Sequence, residues 1–401
     1  MVNSASIELI KALGVPIISD KRRYWFVRTT QGQFREEFFD EKFIGINWND
    51  FNDIKSIRRC KDDEDYKIEL REKLIETIDM SPQELYGLNN EKEVADKKVK
   101  KAGRILGQII RFVNDMKIGD IVIIPDEKST KITFGIVESD IYLNNLTPLE
   151  IVELEANNKC GYIKRRKVKW IKTVYREKID PLLCNKLRAQ QAVSCLDDSA
   201  HLIDRILEPL YYKNGRTYFT FRIEQKDDIN AYDMFSVYGL AYNTLKINKD
   251  ELLSKVNVQS PGEFQWISSN AGIIIALAMV IPLIIGGARL TGAKYKKINL
   301  DIGELEIPGL CKWFIEYQDK RNKSKKIDYD YQLANKKMEL DHKLEMEKIS
   351  IEKIKVQAQK EITPLEIEQL NNEFTQYRDS FSRLEISIDN EFVDKETNKE
   401  K

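Results

Sequence analysis

The sequence predicts an α+β chain in several parts: an N-terminal β-barrel domain, a small α+β middle domain, one apolar helix, and long charged C-terminal helices. Three observations carry this expectation. Short β-type runs separated by glycine turns recur between residues 23 and 207. Residues 264–288 then hold no charge at all, in a chain that is 32% Asp, Glu, Lys and Arg. From Trp313 to Ile362 neither Gly nor Pro interrupts a charged, helix-favouring stretch. The boundaries read as an arm over 1–22, the barrel over 23–207 with a charged insertion at 51–100, and the middle domain over 208–263. The apolar segment follows over 264–290, then a strand and helical tail over 291–390, and a disordered end over 391–401.

Taken in order, Tyr24–Arg28 is a β-type run followed by the turn Thr29–Gln33, and Phe43–Trp48 is a second strand with Gly45 where backbone or ligand can approach closely. Ile105, Ile109, Phe112, Val113 and Met116 fall on one helical face. Lys117–Asp120 turns into the strand Ile121–Ile124, Phe134–Val137 is a further strand, and Arg165–Ile171 closes the set by alternation.

Bulk composition narrows function. The 401 residues include 65 Lys and Arg against 65 Asp and Glu, so a globally basic nucleic-acid binder is not indicated, though local patches are compatible. Cys60, Cys160, Cys184, Cys195 and Cys311 form no C-x-x-C pair, and His201 and His342 complete no metal-ligand spacing. The thiols suit a reducing compartment, and the N-terminal stretch has no signal-peptide character. No P-loop, nucleophile-elbow or H-E-x-x-H motif occurs, which argues against an NTPase, an esterase or a zinc protease.

The succession Trp25-x-Val27-Arg28, Gly32, Ile44-Gly-Ile-x-Trp48, Ile110-Arg-Phe112, Lys117-x-Gly-Asp120, Gly135-Ile-Val137 and Val168-Lys-Trp170 resembles the N-terminal module of Mrr-type restriction-system proteins. That module is similar to the PUA, EVE and YTH group of base-reading barrels. Thr29-Thr30 and Asn47 depart from the usual pattern. The resemblance implies an extruded, modified base of DNA or RNA, or a free nucleotide, stacked on an aromatic face. Trp25, Arg28, Gly45, Asn47, Trp48, Arg111 and Trp170 are the candidate ligand-binding residues, and Lys164, Arg165, Arg166 and Lys169 the candidate phosphate contacts. The blander reading makes the tryptophans core and the basic strip a solvated face.

In the middle region, Thr217–Glu224 reads as a strand, Asp227 or Asp228 as a helix cap, and Val256–Phe264 as a strand and Pro-Gly turn. Glu224-Gln-Lys226 matches half of a PD-(D/E)xK nuclease site, with Asp204 as the upstream carboxylate. Such a site would hold Mg²⁺ on its carboxylates, with the lysine acting on the attacking water. The glycine-rich lead-in of that enzyme is missing, and an E-x-K triplet arises readily by chance in a lysine-rich chain.

Ala271–Ala288 is apolar for 18 residues, about 27 Å as a helix, against a bilayer core of about 30 Å. A transmembrane helix in contact with lipid is the leading expectation; a re-entrant segment and a buried core helix are the others. Arg289, Lys294, Lys296 and Lys297 argue for a cytoplasmic C-terminal side, while the preceding domain also looks cytoplasmic, so the topology cues conflict. Leu333, Leu340, Leu344, Ile351, Ile354 and Ala358 approximate a heptad seam through which the chain could form homo-oligomers, and Thr363-Pro364 starts a further helix. The combined expectation is an antiviral-defence sensor without a catalytic site, in which a base or nucleotide reader is tied to a membrane-associated, oligomerising segment. A degenerate Mg²⁺-dependent nuclease and a soluble nucleic-acid-binding adaptor are the alternatives.

Overall fold

The computed structural model describes residues 7, 9–11, 13–86, 90–244, 247–256, 261–285 and 364–387. The chain divides into two compact units, Lys21–Ile206 and Met1–Asp20 with Leu207–Asp389.

The N-terminal unit is built on a seven-stranded sheet. Its elements are β1 (Tyr24–Val27), α1 (Arg35–Asp40), β2 (Phe43–Ile46), α2 (Ile54–Arg59), α3 (Glu64–Thr77), α4 (Pro82–Leu85) and α5 (Glu91–Ile110). A π-turn over Arg111–Asp115 ends α5. β3 (Ile121–Pro125), β4 (Lys131–Val137), β5 (Tyr142–Leu143), α6 (Pro148–Ala156), β6 (Lys164–Tyr175), α7 (Pro181–Lys186), β7 (Val193–Cys195) and α8 (Ala200–Leu207) follow. The strand order is β2-β6-β4-β3-β1-β7, with β5 also on β6 and β1 parallel to β3. β6 does double duty: Lys164–Lys167 pair with β2, and Val168–Tyr175 with β4. The register slips at Phe134/Gly135, where a Cβ on Gly135 would stand 2.5 Å from Val168 Cγ1 and 2.6 Å from Trp170 Cε3. A side chain there would force β4 and β6 apart, which is why this bulge needs glycine.

The expected β-barrel is corrected by this topology. β2 and β7 are the two free ends of a curled half-barrel. α5 covers its inner face, with Ala102, Ile105, Leu106 and Ile109 buried among Trp25, Val27, Ile44, Val122 and Val168. The charged insertion is a helical layer. Its helices start on side-chain caps from Asp53, Asp63, Ser81 and Asn90, which satisfy otherwise unpaired backbone N–H groups.

The C-terminal unit comprises β8 (Leu210–Lys213), β9 (Arg216–Ile223), α9 (Ala231–Gly239), β10 (Leu253–Val256), β11 (Gly262–Ser268), α10 (Ala271–Ile285), α11 (Pro364–Arg383) and β12 (Ile386–Ser387). The sheet order is β10-β11-β9-β12, with β8 on the same edge of β9 as β12. Asn230, not Asp227 or Asp228, caps α9 by accepting from the Tyr232 N–H at 2.8 Å.

The transmembrane expectation is overturned here. Among the described residues no helix is long and apolar enough to cross a membrane. α10 has 15 residues, about 22 Å, well short of the ~30 Å hydrocarbon core. Its residues from Ala271 to Ala278 are all buried, and they share a core with Phe219, Phe221, Phe264 and Trp266 from the sheet and Phe374, Tyr377 and Phe381 from α11. A helix apolar on every side is a buried core helix when strands and a second helix cover it, as they do here. Trp266, shortly before the apolar run, is a fully buried strand residue. The four cations after the run and the heptad seam lie outside the described residues.

Candidate functional site

The motif residues of the N-terminal unit fall into two groups, those that hold the fold and those that face solvent. Trp25 is fully buried, and its Nε1 donates to Asp120 Oδ2 at 2.8 Å. Asp120 also accepts from the backbone N–H groups of Arg23 and Lys117, at 3.1 and 2.8 Å. The Trp25 and Lys117-x-Gly-Asp120 motifs therefore bind each other and fasten β1 to the turn before β3. Trp170 Nε1 donates to the Phe38 carbonyl at 2.9 Å, and its ring stacks on Phe39. Gly45 is tightly packed, and a Cβ would meet the Lys164 carbonyl and Tyr162 Cβ at 3.2 Å.

Trp48 follows β2 in the left-handed region at φ +64°, a costly conformation for a bulky side chain. The exposed Asn47 accepts from the Trp48 N–H at 2.8 Å, and the Trp48 carbonyl accepts from Lys164 Nζ at 2.6 Å. Lys164 is fully buried, and that burial pushes its pKa down to about 8 against the opposing pull of Asp50.

Three of the four candidate phosphate contacts on β6, Lys164, Arg165 and Arg166, are buried. Arg166 is 1% exposed and donates to the carbonyls of Phe112, Val113 and Ser139 at 2.9, 3.0 and 3.1 Å. Burial pushes its pKa down to about 10, opposed by Asp140. Arg165 donates to the Tyr162 and Cys160 carbonyls and lies over the Phe43 ring at 4.0 Å. Lys164, Arg165 and Arg166 spend their donors on backbone carbonyls, where a buried cation must find acceptors. Lys169 is half-exposed on β6.

The residues of the nuclease constellation belong to different units. Asp204 is fully buried in the N-terminal unit, where its carboxylate accepts from the Tyr24 hydroxyl. Glu224 belongs to the C-terminal unit and accepts from Arg222 Nε at 3.2 Å, while Lys226 is exposed. Among the described residues no group of three or more His, Cys, Asp or Glu could hold a metal ion.

Arg111 leads to a different site. It borders an open groove of about 690 Å³ lined by Lys97, Lys100, Gly103, Arg104, Gly107 and Gln191 as well. Residues 97, 100, 104, 107 and 111 advance by three and four, so they share one face of α5 and its terminal π-turn. That face is opposite in character to the Ile105–Ile109 stripe packed on the sheet. From Lys97 to Asn114 the sequence holds six cations, at 97, 98, 100, 101, 104 and 111, and no carboxylate. Lys97 donates to the Glu84 carbonyl, and Lys101 pairs with Glu84 at 2.9 Å. Lys100 and Arg104 are exposed and have no ion pair or side-chain hydrogen bond among the described residues. At the far end Arg111 Nη1 donates to Gln191 Oε1 at 2.7 Å and to the Val193 carbonyl at 3.4 Å. Arg28 donates to the neighbouring Gln190 carbonyl at 3.2 Å, so two of the arginines in the motif series hold one loop at the groove's end.

Helix-dipole stabilisation does not account for this array, because that effect is confined to the last turn and Lys97 and Lys100 lie well before it. The sequence carried the signal in the turn-spaced cations and the absence of acids. The contribution of Gln191, 80 residues from Arg111, was not readable there.

A family model described as a domain of unknown function, DUF8426, matches residues 25–197, a span that contains the whole groove. No curated protein and no solved structure matches the chain.

Proposed function

We propose that residues 21–206 form a non-catalytic nucleic-acid-binding module that holds the phosphate backbone in the α5 groove. The observation that carries this reading is the single-sided array of Lys97, Lys100, Arg104 and Arg111 around a groove whose central cations, Lys100 and Arg104, have no protein counter-charge among the described residues. A cationic groove of this kind gains affinity by releasing counterions condensed on a polyanion. The near-neutral whole chain is compatible, because the field that matters is local. The restriction-system resemblance of the same region would place such a module in a sensor of foreign nucleic acid. The proposal rests on phosphate contacts and not on base capture, since Trp25 is spent on the core and the Trp170 indole N–H on a backbone carbonyl.

Fluorescence anisotropy of the full chain with labelled single- and double-stranded DNA and RNA tests this across a salt series. Binding should weaken steeply with salt, and the double variant Lys100→Glu, Arg104→Glu should flatten the log–log salt slope by about two. Absence of binding to every nucleic acid at low salt, with the protein folded by circular dichroism, would refute the reading.

A further inference from the structure

We infer that the groove receives a single strand, laid along α5 with its sugar–phosphate chain against Gly107; this rests on the nucleic-acid reading above. Glycine is the least favourable residue after proline in a helix interior, so two of them four apart on one face call for a reason. Packing supplies none at Gly107. A Cβ built there meets nothing within 4 Å, and its backbone is not in the left-handed region. At Gly103 the nearest atom to such a Cβ is Arg71 Nε, at 3.4 Å, which is ordinary contact with the end of a long side chain. The fold would accept alanine at both positions. At Gly107, which nothing covers, the missing side chain leaves a groove floor that lets another backbone reach the helix.

The cations are arranged for one strand. Lys97, Lys100, Arg104 and Arg111 follow one another along α5 with axial steps of about 4.5, 6 and 10 Å, in single file over about 20 Å. A duplex presents two phosphate rows separated by a groove of about 6 or 12 Å, and two rows of cations would be needed to engage both. A single strand can follow the groove past Gly107 to Arg111, which Gln191 and the Val193 carbonyl hold in place. The contacts are to phosphate and sugar, so little dependence on base sequence is expected.

The test uses the full chain, a fluorescein-labelled oligothymidylate of about 15 nucleotides, a duplex of equal length, and polyglutamate as an acidic-peptide competitor. At one fixed salt concentration the oligothymidylate should bind at least about tenfold tighter than the duplex, and polyglutamate should compete poorly. Gly107→Ala should raise the melting temperature while weakening oligothymidylate binding several-fold, and Gly107→Leu should weaken it further. A role confined to folding would move melting without moving binding. Equal or tighter duplex binding overturns the single-strand assignment while leaving nucleic-acid binding standing. Displacement by polyglutamate at lower concentration than by unlabelled oligothymidylate also overturns it. Unchanged affinity in Gly107→Ala overturns the backbone-approach argument, and no binding to either nucleic acid removes both readings together.

Discussion

At the scale of single residues, burial decides what a charge is for. Lys164 and Lys100 are both lysines of the N-terminal unit, yet one is fully buried and bonded to the Trp48 carbonyl and the other is exposed at the groove. Lys164 fixes a tryptophan in a left-handed conformation, and the cost of its burial appears as a pKa pushed from 10.5 to about 8. The sign of the consequence follows from proton linkage. Below about pH 8 the lysine is charged in both folded and unfolded chains, and the folded protein bears the full desolvation cost. Between about 8 and 10.5 the unfolded chain keeps its proton while the folded chain releases it, so stability rises with pH across that window. Lys164→Met removes the titration. Urea unfolding at pH 7 and pH 10 should show the native protein gaining on this variant by at most about 3 kcal/mol. A stability difference that does not change with pH would remove Lys164 as its source.

At the scale of elements, the same apolar pattern served two structural outcomes, and neighbours chose between them. α10 is apolar all round, the signature shared by membrane helices and fully buried core helices. The aromatic strand residues Phe219, Phe221, Phe264 and Trp266 and the α11 residues Phe374 and Phe381 supply the cover that makes it a core helix. Leu277, fully buried at its centre, should cost about 2–5 kcal/mol when changed to Ala, read as a lowered urea midpoint for the C-terminal unit. A surface-like loss of a few tenths would contradict that placement. The buried stripe of α5 was legible because Ile105, Ile109, Phe112, Val113 and Met116 keep helical spacing. The fate of Lys164 and Arg166 was not, because the carbonyls that accept their protons come from Trp48, Phe112, Val113 and Ser139, on segments remote in sequence. The groove lay between these cases. Its cation spacing was visible, but the open space over Gly107 and the loop bearing Gln191 exist only once the chain is folded.

For the whole molecule, the two hydrophobic cores divide the chain unequally in sequence. One is contained between Trp25 and Val193. The other takes Ile10, Leu13 and Val15 from the beginning, the stretch from Leu210 to Ile281, and then Phe374 to Ile386 from near the end. α11 is therefore part of the C-terminal unit and not an appendage to it. Arg383 grips Asp233 with bonds of 2.6 and 2.9 Å, and the Asp233 side chain is 2% exposed. Ser380 donates to Ser236 at 3.2 Å, and β12 extends the sheet beside β9. Ending the chain at residue 363 removes Phe374, Tyr377, Phe381, Leu384 and Ile386 from the core and takes away both the cover and the cation of Asp233. The lost apolar burial is the main cost, at about 25 cal/mol per Å² of apolar surface returned to water. The expected outcome is a truncated protein whose residues 207–285 are rapidly cut in limited proteolysis while residues 21–206 survive as a stable fragment. That fragment should retain salt-sensitive oligonucleotide binding, because its core and the whole groove lie within it. Protease resistance of 207–285 in the truncated chain would show that α11 is dispensable. Loss of binding in the intact 21–206 fragment would place the phosphate contacts elsewhere in the chain.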